Sequence, residues 1–344
     1  MGGDKAPEQV VAGASRAARN PACRVLLVGD ESRISPLLPN DESAGRVQVV
    51  AAAQEVGMAE SPAAAVRRGA VTSMGKTVEL LREGQADAAF SAGNSGAFLA
   101  LAAIRLRTIA GVARPAFATV WPARKGPLLL LDAGANVDCR PDWLVQFALM
   151  GSAYAQSVLG IAAPRVGLLS IGEEEKKGNA LTEAAFPLLS RAPIAFAGNV
   201  EGRDLLLGDV DVVVCDGFVG NVALKLAEGA GEYIFGALRD IVAGSTRAKL
   251  GALLLAPKLR ALRKRMDYRE YGGAPLLGVR GVCLVGHGRA DAYAVENACR
   301  AALRAVRQDV VGAISRIVNT PLAEPVAPQQ SAPQNAPAPQ DAPP

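Results

Sequence analysis

The chain has 344 residues and half of them are apolar, so a sizeable core in one large or two medium lobes is expected. Its net charge of +4 is too small to indicate a nucleic-acid partner. The first residues do not resemble a signal peptide, and no run of about 18 apolar residues would span a membrane.

Five cysteines are spread along the chain without a Cys-x-x-Cys pair, and His287 is the single histidine. Cysteines inside apolar runs, such as Cys215, are typical of reduced, buried thiols in a cytosolic protein. We therefore expect neither disulfides nor a metal site, and no Cys–His nucleophile.

Short apolar segments alternate with longer amphipathic ones. The apolar segments predict buried strands at 24–29, 46–50, 86–91, 127–132, 165–171, 194–197, 210–215 and 282–285. The amphipathic segments predict helices that include 72–83, 95–107, 143–159 and 221–238. This alternation indicates an α/β fold whose mainly parallel sheet is covered by helices on both faces.

Two segments have a different composition. Residues 241–266 contain seven Lys or Arg and no Asp or Glu, and within them 245–266 is predicted to be a cationic helix that Pro257 kinks or breaks. Residues 321–344 contain eight prolines together with Gln and Ala, so a disordered tail is predicted there.

Small and polar residues follow most of the predicted strands. They form the loops 29–30, 91–96, 132–136, 170–172, 198–199, 216–221 and 286–288. Parallel sheets bind ligands at the carboxyl ends of their strands, and helix N-termini attract anions. The loops therefore favour an anionic ligand, whereas the P-loop, dinucleotide-binding and Gly-x-Ser-x-Gly motifs are absent from the sequence.

Seven short segments carry characteristic residues. Each segment alone is a weak signal, but the seven together, in their order along the chain, are specific. These segments are 1–4 with 6–8, 91–96, 131–136, 169–179, 198–202, 216–221 and 272–278. In this order they resemble the PlsX family of phosphate acyltransferases, and the resemblance extends from residue 1 to about residue 312.

The resemblance implies an enzyme that transfers a long-chain fatty acyl group from acyl carrier protein to inorganic phosphate, without a cofactor. It implies a fold similar to isocitrate and isopropylmalate dehydrogenases and to phosphotransacetylases, in which residues 1–320 form one two-lobed domain with a protruding helical hairpin. It also implies a cytoplasmic homodimer that associates with the inner face of the cell membrane and passes its product to a membrane glycerol-3-phosphate acyltransferase.

The sequence departs from the family at its beginning. Members generally carry a short strand ending in Asp-Ala before the Met-Gly-Gly-Asp segment, which here begins at Met1. We expect the upstream reading frame to encode that strand, because either the start was assigned too far downstream or the chain is truncated. Lys5 replaces the usual His, which argues against a catalytic role at that position.

Phosphate can attack a thioester without a protein nucleophile if it is held close and the developing oxyanion is stabilised. By the resemblance, Lys177 would pair with phosphate or with the thioester oxygen, and Asn179 would orient one of them. Lys176 is the adjacent competitor. The alternative is a solvated charged turn that caps the next helix.

The segment 216–221 ends at Asn221, a candidate donor to phosphate or to the acyl carbonyl that could equally be a helix N-cap. Asp216 would hold the loop or fix a lysine. Lys225, four residues after Asn221, lies on the same helix face and adds positive charge or is simply exposed.

The remaining candidates also lie in loops after strands or near the amino terminus. Phosphate or substrate binding is predicted for Asp4, Asn94, Ser95, Asp132 and Asn136. The alternatives are glycine-dependent tight turns and, for Asp4, an N-cap before Pro7. His287 is predicted as an acid, base or phosphate ligand, against a purely structural histidine.

The cationic segment is predicted to contact an anionic membrane surface or the acidic acyl carrier protein. The side chains concerned are Lys258, Arg260, Arg263, Lys264 and Arg265. The alternative is a solvated helix at a dimer interface.

Three other functions remain open. A phosphotransacetylase acting on a short acyl-CoA would share the fold and the phosphate chemistry. An isopropylmalate-type dehydrogenase would need metal-binding aspartates and an arginine cluster, which the sequence does not reveal. A non-catalytic scaffold for lipid enzymes is the third.

Overall fold

The structure, a computed structural model, describes residues 1–41 and 43–322, and only the backbone of residues 263, 265 and 268. The predicted disordered tail therefore lies outside the described residues beyond Leu322. The strands are β1 Val25–Gly29, β2 Val47–Ala51, β3 Ala88–Ser91, β4 Ala116–Pro122, β5 Pro127–Leu131, β6 Arg165–Leu169, β7 Ala195–Val200, β8 Val212–Val214, β9 Ala274–Leu277 and β10 Val282–Val285.

The helices cover the sheet and extend beyond it. They are α1 Glu8–Ala17, α2 Glu31–Ile34, α3 Pro62–Arg68, α4 Ser73–Arg82, α5 Ser95–Arg105, α6 Pro141–Ser157, α7 Ala180–Leu189, α8 Asp204–Leu207, α9 Gly217–Ala243, α10 Thr246–Arg265, α11 Ala292–Arg307 and α12 Val310–Val318. The predicted α/β class and the mainly parallel sheet between helices are confirmed.

The main sheet has eight strands in the order β3-β10-β9-β4-β5-β8-β6-β7. β3 and β10 are parallel, and β5, β8, β6 and β7 are parallel to one another. β9 is antiparallel to β10 and to β4, and β4 is antiparallel to β5. The two parallel blocks therefore run in opposite directions, and the loops after their strands leave the sheet in opposite directions.

β1 and β2 form a separate parallel pair. A cavity of about 510 Å³ lies between β1 and β3, and apolar side chains of α1 and α11 line it. Beside it, the amino group of Met1 donates a hydrogen bond of 2.7 Å to Val28 O. The strand expected upstream of Met1 stays a prediction.

β5 lies inside the core, and its four leucines at 128–131 are fully buried. Leu129 and Leu131 pack on one face against α6, and Leu128 and Leu130 pack on the other face with Trp121. A strand that is buried on both faces reads as a continuous apolar run, which is why its position was predicted correctly.

Helices α9 and α10 form a helical hairpin that packs little against the sheet. α10 has no buried residue among its described side chains, and Leu253 and Leu254 are 69% and 77% exposed. Of the two effects predicted for Pro257, the break is wrong, because α10 continues through it, and the kink stays a prediction. The carbonyl that proline leaves without a donor lies on an exposed helix, where water can satisfy it. None of the described helices combines the length and the apolar character needed to cross a membrane.

Candidate active site

The loop after β5 is organised by the buried carboxylate of Asp132. Oδ1 accepts hydrogen bonds from the backbone N–H groups of Phe117 (3.0 Å), Gly134 (3.1 Å) and Ala135 (3.0 Å). Oδ2 accepts from the backbone (2.7 Å) and side chain (2.9 Å) of Asn136. Burial raises the pKa of Asp132, while the bonds from Ala135 and Asn136 oppose that shift. The buried carboxylate of Asp132 thus holds the loop 132–136 through the backbone N–H groups of that loop.

Asn136 joins this loop to the start of α9. Its Nδ2 donates to Pro115 O at 2.9 Å as well as to Asp132, so both amide hydrogens are used within the protein. The main-chain carbonyl oxygen of Asn136 accepts a hydrogen bond from Gly217 N at 2.7 Å. Two loops predicted from separate parts of the sequence are therefore held together.

The first turns of α9 lie against the same loop. Asp216 is the N-cap, because its Oδ1 accepts from Val219 N at 2.9 Å. The cap alternative for Asn221 is therefore wrong: the helix begins four residues earlier. A Cβ at Gly220 would lie 1.9 Å from Asp132 O, so this close approach requires glycine.

The side chain of Asn221 is exposed and lies beside Gly134, whose added Cβ would be 3.6 Å from Asn221 Oδ1. Lys225 is one turn further along α9 and also exposed, with Nζ 2.8 Å from Glu228 Oε2. Because Asn221 and Lys225 are four residues apart on α9, the amide and the ammonium group lie on the same face of the helix, and Asn221 is the one next to the loop after β5.

The loop after β6 contains both predicted lysines, and both are exposed. Asn179 caps α7, since its Oδ1 accepts from Leu181 N (3.1 Å) and Thr182 N (3.0 Å), and Thr182 Oγ1 accepts from Asn179 N. The alternative predicted for this segment, a charged turn that caps the next helix, is therefore observed in the structure. The ligand roles of Lys177 and Asn179 stay predictions.

Asn199, at the end of β7, is a residue of this region to which the sequence assigned no role. It is 6% exposed, and its Nδ2 donates to Glu174 O at 2.7 Å and to Lys177 O at 3.5 Å. The pattern Gly-Asn after a strand was visible in the sequence, but its partners come from 22 and 25 residues away.

A second group of predicted residues surrounds the amino terminus. Asp4 N donates to Gly288 O at 2.7 Å, and Asp4 itself is exposed. It is not an N-cap, because α1 begins after Pro7 without a side-chain cap. His287 is exposed, and its Nδ1 accepts from Arg289 N at 3.2 Å.

Asn94 caps α5 and also anchors a neighbouring loop. Its Nδ2 donates to Gly57 O (3.3 Å), Met58 O (3.0 Å) and Glu60 O (2.8 Å). Ser95, the first residue of α5, is exposed. The predicted binding residues therefore divide between two clusters.

We call residues 132–136, 170–179, 198–202 and 216–225 the strand-end cluster, and residues 2–4, 91–96 and 286–288 the amino-terminal cluster. Their strands run in opposite directions, so the clusters do not share one edge of the sheet. Both border one apolar core that contains Phe98 of α5 and Ala133, with Leu224 of α9 packed against it.

The cations of the hairpin are solvent-exposed where their side chains are described. Lys258 and Arg260 are exposed, and Lys264 Nζ lies 3.8 Å from Glu270 Oε1. Arg263 and Arg265 belong to α10, and their side chains lie outside the described part of the structure.

The thiols near this site are poor nucleophiles. Burial raises the pKa of the Cys139 thiol to about 12, and that of Cys215 well above its usual value, so both stay protonated near neutral pH. Within residues 1–41 and 43–322, no group of three or more His, Cys, Asp or Glu side chains could hold a metal ion.

The strand-end cluster is thus built from amides, backbone N–H groups and lysines on a rigid base. Helix N-termini and ammonium groups attract anions, and amide donors stabilise a developing oxyanion. Such an arrangement suits phosphate as a reactant and needs no covalent intermediate on the protein.

Comparison with known proteins agrees with this chemistry. The family described as "Fatty acid synthesis protein" matches residues 1–313. A protein of Desulforudis audaxviator named phosphate acyltransferase is 53% identical over 315 residues, covering 92% of this chain and 93% of that protein. One of Heliobacterium modesticaldum with the same name is 50% identical over 317 residues, covering 91% and 94%.

Solved structures show the same fold. The EutD phosphotransacetylase from Staphylococcus aureus has a TM-score of 0.58 at 15% identity, over 87% of this chain and 91% of that one. A branched-chain phosphotransacylase from Enterococcus faecalis has a TM-score of 0.55 at 16% identity, over 89% and 96%.

Proposed function

The chain belongs to the PlsX family of phosphate acyltransferases, enzymes of lipid synthesis that transfer an acyl group to phosphate, and on this premise we propose that its acyl donor is a long-chain acyl-acyl carrier protein. The products are acyl phosphate and the free carrier thiol. The family description supports a donor from fatty acid synthesis rather than a short acyl-CoA.

We infer direct attack of bound phosphate on the thioester. A phosphate oxygen forms a bond to the carbonyl carbon, the C–S bond breaks, and the thiolate leaves and takes up a proton. Lys177 pairs with phosphate, and Asn179 and Asn221 donate to phosphate or to the carbonyl oxygen as negative charge develops there. A proton-transfer role for His287 stays a prediction, because His287 lies in the amino-terminal cluster, at the other edge of the sheet.

One observation carries this proposal: the loops after β5 and β6 and the start of α9 are held by Asp132 and by helix caps, while the side chains of Lys177 and Asn221 are exposed. Positioned donors of this kind do not need to reorganise during the reaction. Asp216 and Asn136 support the same loops. Lys225 places an ammonium group beside them, which Glu228 pairs in the absence of substrate.

The amino-terminal cluster is the second substrate-binding element of the proposal. Asp4, Asn94 and Ser95 lie with His287 where β3 and β10 end, and Ser95 opens the N-terminus of α5. We assign this cluster to a part of the acyl donor remote from the thioester, because the strand-end cluster already offers the groups that bind phosphate and the carbonyl oxygen.

The hairpin is the proposed contact surface for acyl carrier protein and for an anionic membrane. Exposed leucines beside exposed lysines and arginines suit an acidic protein or a negatively charged lipid surface. A homodimer through this hairpin, and a transient contact with a membrane glycerol-3-phosphate acyltransferase, belong to the same proposal.

Sedimentation with anionic liposomes tests the surface, using a variant in which Arg260, Arg263, Lys264 and Arg265 are changed to Glu. Unchanged sedimentation would contradict the membrane contact.

Formation of acyl phosphate from palmitoyl-acyl carrier protein and phosphate tests the activity. We expect Lys177→Ala and Asn221→Ala each to lower kcat by about 100-fold, because each removes a donor to a charged transition state. Lys176→Ala is the matched control, and its loss is expected to stay below about threefold.

Two outcomes would redirect the assignment. Phosphate-dependent turnover of acetyl-CoA but not of palmitoyl-acyl carrier protein would favour a phosphotransacetylase. Normal activity of both Lys177→Ala and Asn221→Ala would remove the strand-end cluster from the mechanism.

A further inference from the structure

Asn199 is a buried polar side chain that the proposed chemistry does not use. Its Nδ2 is occupied by two carbonyl groups of the loop after β6, while its buried Oδ1 has no hydrogen-bond partner among the described residues. Most buried polar atoms have a partner, so a buried amide with an unpartnered oxygen calls for an explanation. The two bonds from Nδ2 to the loop after β6 supply one.

An irregularity in the sheet determines which face Asn199 occupies. The register between β6 and β7 shifts by one residue between Val166 and Gly167. The shift pairs Asn199 with Leu168 instead of Leu169, and these leucines lie in cores on opposite faces of the sheet. Bulges re-aim side chains and are common next to active sites. Here the bulge turns Asn199 toward the face that carries α7 and the loop before it.

The loop that Asn199 holds is the one that contains Lys177. Lys177 O accepts from Asn199 Nδ2 at 3.5 Å and from Ser170 Oγ at 2.8 Å, and Glu174 O accepts from Asn199 at 2.7 Å. The backbone on both sides of Lys176 is therefore tied to the end of β7. Lys177 itself is exposed, so these bonds to its main chain fix where its side chain starts.

We infer that Asn199 is a positioning residue, which sets the place of the Lys177 ammonium group for the incoming phosphate by holding the loop at Glu174 and Lys177. The inference rests on the role of Lys177 proposed above. It predicts a defect in the use of phosphate that exists only while Lys177 is present.

A double-mutant cycle in the full chain tests this. In Asn199→Ala we expect kcat/KM for phosphate to fall about tenfold, with KM for palmitoyl-acyl carrier protein unchanged, because misplacing a binding group costs rate without removing it. In the Lys177→Ala background the same change should cost less than about twofold. Asn297→Ala is the matched control: Asn297 is also 6% exposed and donates to a backbone carbonyl, that of Arg269, at 2.9 Å.

The outcomes separate the inference from its premise. Asn297→Ala is expected to change kcat/KM for phosphate by the same factor with and without Lys177. If Asn199→Ala does so too, its positioning role is overturned, while the proposed role of Lys177 is unaffected. Full activity of Lys177→Ala alone overturns the premise and the inference together. If Asn199→Ala does not fold, the cycle is repeated with Asn199→Leu, which keeps the branched shape of the side chain but lacks the donor.

Discussion

The two ends of helix α9 share one helical backbone but differ in their surroundings. At the first turn Gly217 and Gly220 are buried against the loop after β5. Further along, Tyr233 and Ile241 are 77% and 68% exposed. One end thus contributes to the site, and the other holds apolar side chains in solvent. The comparison shows that apolar content alone does not tell which part of a helix stabilises the fold.

The largest expected effect lies at the buried end. Gly220→Ala would place Cβ 1.9 Å from Asp132 O, and backbone cannot yield as a flexible side chain can. We expect a loss of about 3 kcal/mol or more in the free energy of unfolding, measured with denaturant. At Gly229 of the same helix nothing lies within 4 Å of an added Cβ, so Gly229→Ala should stabilise by up to about 1 kcal/mol. Similar losses for both variants would contradict the contrast.

A somewhat smaller effect is expected for Asp132→Asn. The amide of asparagine keeps one oxygen as an acceptor, but its NH2 group replaces Oδ2. That NH2 group would face the backbone and side-chain N–H groups of Asn136, in a site without access to water. We expect a loss of about 2–3 kcal/mol, together with lower activity, because the loop that faces Asn221 loses its support. Unchanged thermal stability would show that the carboxylate does not hold the loop.

The two N-caps of the hairpin helices sharpen the comparison further. Asp216→Ala removes the cap of α9 and should cost about 1 kcal/mol of global stability, because the first turn of α9 packs on the core. Ser245→Ala removes the equivalent bond at α10, from Ala248 N at 3.1 Å. Since α10 buries none of its described side chains, we expect less helicity by circular dichroism but little change in the unfolding midpoint. Equal midpoint shifts would mean that α10 is part of the core.

The smallest effect on stability is expected for the exposed leucines. Leu253→Ser and Leu254→Ser together should change the free energy of unfolding by less than about 0.5 kcal/mol at low protein concentration, while weakening liposome binding. A loss that appears only as the protein concentration rises would support the proposed homodimer through the hairpin. A large loss at low protein concentration would contradict the prediction, because it would show that the single chain needs these leucines for its stability.

Several features followed from the sequence because they are local. Eight of the ten described strands were predicted from apolar runs, and α4, α5, α6, α9 and α10 from helical periodicity; the loop residues were predicted from their place after strands. β4 and β9 were missed. Their short apolar runs contain or adjoin proline and glycine, and both are the antiparallel strands that reverse the direction of the sheet.

The candidate site was predictable in part. Lys177, Asn179, Asp216 and Asn221 were identified in their loops, but their exposure and capping partners were not. Asp132 was expected to touch substrate, whereas the structure places its carboxylate beneath the loop with every bond directed inward. Neighbouring residues in the sequence do not show which group is buried.

By itself the sequence determined the α/β class, the position of most elements and the polar loops at strand ends, because these depend on the alternation of apolar and polar residues over short distances. Only the tertiary structure decided the opposite directions of the two parallel blocks, the burial of one end of α9, and the side of the sheet to which Asn199 turns. Each of these depends on register and contact between residues far apart in the chain, where a shift of one position moves a side chain to the other face.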